Sequence, residues 1–151
     1  MTKNKFSTWA MWQERSSLDD IRFPGVYVIA LSDKKIAGKA FSWRREIIYV
    51  GMTNAKSGLK SRLQQFDNTI KGKDGHGGGR RVRYKHRNYK KLIPLLYVSV
   101  WPHECDVKSN RPADLRITSA VAKLEYECFA VFVEKFGRLP EFNDKEKSPK
   151  K

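Results

Sequence analysis

The stretch EIIYVGMTNAKSGLKSRL, residues 46–63, decides the fold because it joins a strand to a helix. Its apolar, β-branched first half ends at Gly51, which is typical of a buried strand. Its second half begins a helix of about 12 to 16 residues with an apolar face. Arg62 lies at the edge of that face, where a charge normally needs a partner. The rest of the chain has to supply that partner. The apolar positions of the helix are Leu59, Leu63, Phe66 and Ile70.

Three apolar runs predict the strands of a small sheet. They are GVYVIAL (residues 25–31), REIIYVG (residues 45–51) and LLYVSVW (residues 95–101), all rich in β-branched residues. The polar and basic residues 32–44 suit a long hairpin connection between the first two strands. Residues 8–16 predict a short helix.

The C-terminal third predicts one long helix. The run RPADLRITSAVAKLEYECFAVFVEKFG has Pro112 in its first turn and Gly137 at its end, which is the usual placement of these residues. The fold class is therefore α+β, with a small three-stranded, mainly antiparallel sheet flanked by helices. We expect a single domain over residues 1–143, with residues 1–24 as an N-terminal extension and residues 144–151 as a disordered basic tail.

The composition limits the class of protein. A chain of 151 residues with 40% hydrophobic residues can bury a core without metal or disulfide support. No stretch approaches the roughly 20 apolar residues of a membrane span, and the N-terminus lacks the apolar segment of a secretory signal. Cys105 and Cys128 are placed like two reduced thiols. We therefore expect a cytoplasmic protein that does not bind membranes.

The net charge of +15 favours a polyanionic partner, and it is concentrated in residues 70–91. This segment has nine Lys or Arg against Asp74 alone, with Tyr84 and Tyr89 between them and the glycine-rich GHGGG before them. A solvated loop is the plain alternative, but the tyrosines favour a basic loop that binds nucleic acid. His76 and His86 are alternative bases, although a phosphate contact is the better interpretation in a mobile loop. The predicted nucleic-acid contacts are Lys71, Lys73, His76, Arg80, Arg81, Arg83, Lys85, His86, Arg87, Lys90 and Lys91.

Glu125 is the sharpest anomaly of the sequence. At about 100° per residue it falls near the middle of the apolar stripe of the last helix, whereas Glu127 lies toward the edge. An ionised carboxylate in an apolar stripe is costly unless it is paired or holds a metal. A salt bridge with Arg62 is one explanation, and a metal or catalytic role is the other. The stripe consists of Val121, Leu124, Cys128, Phe132 and Phe136.

These residues together suit phosphodiester hydrolysis. That reaction needs a cation on the scissile phosphate, a divalent metal for the developing charge and a group that activates water. Arg62 and Glu125 match the first two needs, and the strand tyrosines Tyr27 and Tyr49 are candidates for the third.

The chain resembles the GIY-YIG nuclease family in five elements that occur in the same order. GVY at residues 25–27 and YVG at residues 49–51 are similar to the two signature triplets, with valine in place of isoleucine. The following helix has Arg62, a later helix has KLE with Glu125, and the chain then reaches PEFN with Asn143. The resemblance spans residues 25–143.

The resemblance implies an endonuclease that cuts DNA with one divalent metal, Mg²⁺ or Mn²⁺. Glu125 would bind the metal, Arg62 would hold the scissile phosphate, Tyr27 would activate or position water, and Tyr49 would shape the same site. Tyrosine at its reference pKa of about 10 is a poor base at neutral pH, so nearby cations are needed. Gly25 and Gly51 would allow close approach to the phosphate or a neighbouring strand, and Asn143 would tie the chain end to the site by hydrogen bonds.

The chain departs from the family pattern in several places. Many members have a histidine four residues after the arginine, where this chain has Phe66. Lys34, Lys35 and Lys39 are equal candidates for the hairpin lysine of several members. Glu127 stays open as an alternative metal ligand.

Three functions remain open from the sequence. The first is a nuclease of restriction, mobile-element or repair type, which would need to form a homodimer on DNA or bind twice if it cuts both strands. The second is an inactive nucleic-acid-binding module with the same fold. The third is a basic RNA-binding protein in which the triplets are coincidence. Sequence specificity, the strandedness of the substrate and the biological pathway are beyond what these residues indicate.

Overall fold

The structure is a computed structural model that describes residues 5–149. In this part of the chain the sheet has four antiparallel strands, which are β1 (Ala10–Met11), β2 (Gly25–Leu31), β3 (Ile47–Thr53) and β4 (Leu96–Pro102). Their order in the sheet is β1-β4-β2-β3. The predicted three strands are present, and the α+β class is confirmed, but the predicted strand count is wrong.

The fourth strand arises from the free edge of β4. Ala10 and Met11 pair with Val98 and Tyr97, and two residues are too few to show any periodicity in the sequence. The short helix predicted at residues 8–16 is accordingly displaced, because a 3₁₀ helix over Trp12–Ser17 follows this strand.

Within residues 5–149, four α-helices and two more 3₁₀ helices surround the sheet. The α-helices are α1 (Gly58–Ile70), α2 (Gly77–Lys85), α3 (Tyr89–Leu92) and α4 (Pro112–Phe136), and the 3₁₀ helices are Ile93–Leu95 and Glu141–Asn143. The long C-terminal helix ends where the sequence predicts, since Gly137 has a φ of 72° and its N–H donates to the Val133 carbonyl at 2.7 Å. Among residues 5–149, no helix combines the length and apolar composition that crossing a bilayer requires.

Both faces of the sheet are covered, which explains why β2 is apolar at every position. One core contains Tyr27, Tyr49 and Phe66 and joins the sheet to α1 and α2. The other contains Val28 and Phe132 and joins the sheet to α4. Strands that are buried on two faces read as continuous apolar runs rather than as alternating ones.

The basic segment that the sequence predicts as a loop is largely helical. Helix α2 begins in the run Gly77–Gly79 although glycine has a low helix propensity. A Cβ at Gly78 would overlap the ring of Tyr49, and a Cβ at Gly79 would crowd Thr69. Glycine is needed here because the helix packs so closely on the sheet and on α1.

Asp67 is a buried carboxylate that ties three parts of the chain together. Its side chain is 1% exposed. Its Oδ1 accepts hydrogen bonds from Trp12 Nε1 at 2.8 Å and Tyr89 Oη at 2.7 Å. Its Oδ2 lies 2.9 Å from Lys71 Nζ and 3.4 Å from Arg15 Nη2. This cluster fixes the N-terminal 3₁₀ helix and α3 on α1.

The tail predicted as disordered is in part ordered. Ser148 is buried and its Oγ donates to the Glu141 carbonyl at 2.6 Å, so residues 144–149 pack against the preceding 3₁₀ helix. Residues 150 and 151 of the tail, and residues 1–4 of the N-terminal extension, lie outside the described part of the chain. Cys105 and Cys128 are free thiols, as the sequence predicts.

Candidate active site

The two signature tyrosines lie side by side on neighbouring strands. Tyr27 of β2 and Tyr49 of β3 face the layer formed by α1 and α2, with 6.1 Å between their ring centroids. Gly51 is the cross-strand partner of Tyr27, and a Cβ there would overlap the phenol ring. A Cβ at Gly25 would likewise overlap the Trp101 carbonyl of β4. Both motif glycines therefore serve close packing within the sheet.

Arg62 is a residue of α1 that lies near Tyr27 and Tyr49, and its charge acts on both hydroxyls. It is half-buried, and its Nη1 donates to Gln65 Oε1 at 2.9 Å. Burial and the neighbouring Tyr49 raise the pKa of Tyr27 well above 10, and the nearby Arg62 offsets only part of that rise. Burial likewise raises the pKa of Tyr49, with Arg81 and Arg62 opposing it. Both hydroxyls are therefore protonated at neutral pH.

Glu125 reaches the same site from α4 on the other layer. Its charge acts on Tyr27 and Tyr49, and the charge of Arg62 acts on it. The structure thus brings together all four residues that the sequence predicts as catalytic. Glu127 is exposed on a different face of the helix.

The carboxylate of Glu125 has no close partner. Within residues 5–149, no side chain forms an ion pair with it and no donor hydrogen-bonds to it, so the predicted alternative of a salt bridge with Arg62 is not formed. Burial raises its pKa, and Arg62 compensates only in part. An anion left in this state is suited to receive a cation.

His76 is also part of this site, contrary to the prediction from the sequence. We expected it in a mobile loop, but it is buried as the N-cap residue of α2 and packs edge to face on Phe66 with 5.0 Å between centroids. Burial, together with the charges of Arg62 and Arg81, lowers its pKa to about 3. The ring is therefore neutral over the physiological range.

The hydrogen bonds of His76 determine its tautomer. Nδ1 accepts from the Gly79 N–H at 3.1 Å, so the single ring proton is on Nε2. Nε2 lies 2.7 Å from Tyr27 Oη and therefore donates to it. The Tyr27 hydroxyl is left to donate its own proton elsewhere.

Arg81 is the second predicted DNA contact that is buried. Its Nε donates to the Phe142 carbonyl at 2.7 Å, and its charge acts on both Tyr49 and His76. Nothing local in the sequence distinguishes it from the half-buried Arg80 and Arg83 beside it. Only the packing of Val82 and Gly78 on the core turns this face of α2 inward.

Asn143 holds the edge of the sheet next to the site. Its Oδ1 accepts from the Val50 N–H and its Nδ2 donates to the Val50 carbonyl, both at 2.8 Å. These two bonds satisfy backbone groups of the edge strand β3. The hydrogen bonds that the sequence predicts between the chain end and the site are formed by this residue.

The remaining predicted DNA contacts lie on α2, on α3 and on the short connections before each of these helices. Three arginines and a lysine surround a cavity of about 330 Å³ beside Tyr84. Lys71 and Lys85 also bind Asp67 and Glu141. The exposed cations are Lys71, Lys73, Lys85, Arg87, Lys90 and Lys91, whereas Arg80, Arg83 and His86 are half-buried. The hairpin lysines Lys34, Lys35 and Lys39 are exposed on the connection between β2 and β3.

The donor set is compatible with one divalent metal held by a single carboxylate. Residues 5–149 contain no group of three or more His, Cys, Asp or Glu that could form a closed metal site. Mg²⁺ is usually held by one or two carboxylates and keeps waters and substrate phosphate oxygens as its other ligands. The unpaired Glu125 near the charge of Arg62 fits that arrangement.

Comparisons with known proteins give no match for this chain, either to a family model, to a curated protein or to a solved structure.

Proposed function

We propose that this protein is a metal-dependent endonuclease that hydrolyses DNA phosphodiester bonds at the site of Tyr27, Tyr49, Arg62 and Glu125. The observation that carries the proposal is the unpaired, half-buried carboxylate of Glu125 facing an arginine and two tyrosine hydroxyls. A purely structural glutamate in this position would be neutralised by a partner. The resemblance to GIY-YIG nucleases supports the same reaction.

Arg62 would hold the scissile phosphate. It is the only one of the four residues that is cationic, and its hydrogen bond to the side chain of Gln65 is easily exchanged for one to an anion. Because Tyr27 is fully buried and close to Arg62, movement of Arg62 onto the phosphate would uncover the Tyr27 hydroxyl.

Glu125 would hold Mg²⁺ or Mn²⁺. When bound, the metal supplies positive charge that stabilises the developing charge of the phosphate and lowers the pKa of water. The carboxylate must be ionised to bind a cation. Because the pKa of Glu125 is raised, metal binding should weaken as the pH falls.

Tyr27 would orient the attacking water rather than remove its proton. Its pKa is raised, so a phenolate is scarce in the free protein at neutral pH. The Nε2–H of His76 occupies one acceptor position of the hydroxyl, which leaves the other lone pair and the proton for other partners. His76 therefore acts as a positioning residue. It comes from α2 and contacts Phe66, the position where many GIY-YIG proteins have a histidine.

The exposed cations of α2, of α3 and of the short connections before these helices would hold the DNA backbone. Contacts between lysine or arginine and phosphates position a duplex without reading its sequence. They also release counterions, so binding would weaken steeply as the salt concentration rises.

A cleavage assay with Glu125→Gln tests the proposal. We expect the wild type to cut plasmid or single-stranded DNA with Mg²⁺ or Mn²⁺ and not with EDTA. The variant should lose at least about a hundredfold in rate, because a metal-binding group that acts on the transition state is removed. It should retain DNA binding, because the exposed cations are unchanged.

Glu104→Gln is the control, since Glu104 is exposed and lies outside the site. Binding without cutting by the wild type, under every metal condition, would contradict the proposal and favour an inactive binding module. Preference for RNA over DNA in a binding competition would favour the RNA-binding alternative.

A further inference from the structure

Helix α4 has a second apolar face that points away from the core. Tyr126 is 72% exposed, Leu115 is 51% exposed and Val133 is 41% exposed. At about 100° per residue, Tyr126 lies on the opposite side of the helix from the buried Val121 and Cys128. Successive positions of this outer face are separated alternately by four and three residues, as in the seam of a coiled coil. They are Leu115, Ser119, Ala122, Tyr126, Phe129 and Val133.

This face presents three exposed large apolar side chains, Leu115, Tyr126 and Val133, along one side of the helix. From Leu115 to Val133 the outer face extends over about 27 Å of helix. Phe129 lies at its inner edge, since it is half-buried against the core and its ring contacts that of Tyr126. Exposed apolar side chains that are aligned in this way are typical of an interaction surface.

We propose that the outer face of α4 binds a second copy of this chain, with the two α4 helices antiparallel. The association goes beyond the proposed nuclease activity and does not depend on it. A two-fold axis would pass near the middle of the helix, so that the same residues of both copies form the contact.

The charges beside the apolar face determine the antiparallel direction. Arg116 and Lys123 lie along one flank in the N-terminal half, and Glu127 and Glu134 lie along the same flank in the C-terminal half. All four are exposed, and none forms an ion pair within residues 5–149.

An antiparallel pair joins opposite charges on this flank. Arg116 would face the partner's Glu134, and Lys123 would face the partner's Glu127, because both pairs have residue 125 as their midpoint. In a parallel pair the two-fold axis would run along the helices, so this flank would face the opposite flank of the partner and neither charge pair would form. The apolar positions also match, since Leu115 would face the partner's Val133.

The two-fold axis also determines where the two copies of the candidate active site lie in the dimer. An axis perpendicular to the plane of the two helices keeps each flank on its own side of the pair. Glu125 lies on the flank opposite Lys123, so both copies of Glu125 would be on one side of the dimer. Two sites on one side could act on the two strands of one duplex.

Sedimentation velocity of the full chain over a range of concentrations tests the inference. We expect the wild type to shift from one chain to two as the concentration rises. Arg116→Glu and Glu134→Arg should each weaken association about tenfold or more, because each places like charges at two symmetric positions. Both positions are exposed, so the variants should fold, which circular dichroism checks.

An equimolar mixture of the two variants is the decisive sample. The new acid of one chain then faces the new base of the other, so the mixture should dimerise at concentrations at which neither variant dimerises by itself. Positions 116 and 134 are about 27 Å apart along one helix, so this recovery cannot arise within a single chain.

A wild type that stays monomeric at all concentrations would overturn the inference. So would single variants that associate as well as the wild type, or a mixture that does not recover. Sedimentation velocity reports the mass of the particle, so these results do not depend on whether the protein cuts DNA.

Discussion

Asp67 is a buried carboxylate and Glu125 is a half-buried one, and the two differ in the groups that surround them. Burial alone would raise the pKa of both. For Asp67, hydrogen bonds from Trp12, Lys71 and Tyr89 outweigh burial and hold the pKa below its ordinary value. For Glu125 burial prevails, and the pKa is raised. The number of hydrogen-bond donors around each carboxylate, rather than its depth of burial, explains the opposite directions of the two pKa shifts.

The difference distinguishes a carboxylate that is satisfied within the fold from one that is left without a partner. The Asp67 cluster is closed, because every donor around it belongs to the chain. The Glu125 site is open, because its negative charge is only partly offset by Arg62. A closed cluster contributes stability, whereas an open one costs stability and is available to a ligand.

Replacing each carboxylate by its amide should separate stability from activity. Asp67→Asn should lower the free energy of unfolding by about 2–4 kcal/mol, because Arg15 and Lys71 lose their partner and Trp12 loses part of its hydrogen bond. Glu125→Gln should be as stable as the wild type or more stable. Urea titration at pH 7 measures both.

Equal destabilisation by the two amide variants would contradict this distinction. Cleavage supplies the complementary readout, since Asp67→Asn should still cut DNA at a temperature where it is folded.

His76→Phe should slow cleavage about 10–100-fold, because the variant keeps the packing on Phe66 and loses the hydrogen bond to Tyr27. Single-turnover rates at saturating enzyme measure the chemical step apart from binding. His103→Asn is the control, since His103 lies at the end of β4 and contacts Trp101.

The pH profile adds a readout that a purely structural role of His76 would not change. With the pKa of His76 lowered to about 3, the wild-type rate should show no titration of this ring near pH 6.5. A wild-type limb near pH 6.5 that disappears in His76→Phe would contradict the assigned neutral tautomer.

Acid should affect the stability of the two clusters in opposite directions. The pKa of Asp67 is lower in the folded state than its ordinary value of 3.8, so its contribution is present at neutral pH and is lost as the pH falls through the folded pKa. The pKa of Glu125 is above its ordinary value of 4.5, so the fold gains stability as this group takes up a proton.

The amide variants make this difference measurable. The stability gap between Glu125→Gln and the wild type should close as the pH falls from 7 toward 4.5. The gap between the wild type and Asp67→Asn should persist over that range and close only below it. Urea titrations at pH 7, 5.5 and 4.5 compare the three proteins, and a constant gap for Glu125→Gln would contradict the raised pKa.

The exposed lysines belong to neither cluster and should have the smallest effect. Lys73→Ala and Lys90→Ala should leave stability within about 0.5 kcal/mol of the wild type. Each should weaken DNA binding modestly and reduce the slope of log K against log salt by about 1. Lys108→Ala is the control for a cation outside this surface, and an equal loss of slope in that variant would argue against a defined DNA-binding face.

Much of the fold follows from local patterns of the sequence. The strand β2 and helix α4 have the predicted bounds, because continuous apolar runs, Pro112 and Gly137 act on their own neighbours. Glu125 also stands out in the sequence, because a carboxylate in an apolar stripe violates the helical pattern.

Helix α2 and strand β1 could not be predicted in this way. The glycines that begin α2 disfavour a helix, and the segment is helical because it packs on Tyr49 and Thr69. The same packing separates the buried His76 and Arg81 from the exposed cations beside them, although all of them look alike in the sequence.

The sequence by itself determined strands β2, β3 and β4 and the long helices, and it singled out Arg62 and Glu125 as candidates, because hydrophobic period and misplaced charge are local signals. Only the tertiary structure decided which carboxylate is satisfied and which is not. Asp67 finds its donors in Trp12 and Tyr89, which are 55 and 22 residues away along the chain. Partners at such separations are brought together by packing, and packing is a property of the whole chain.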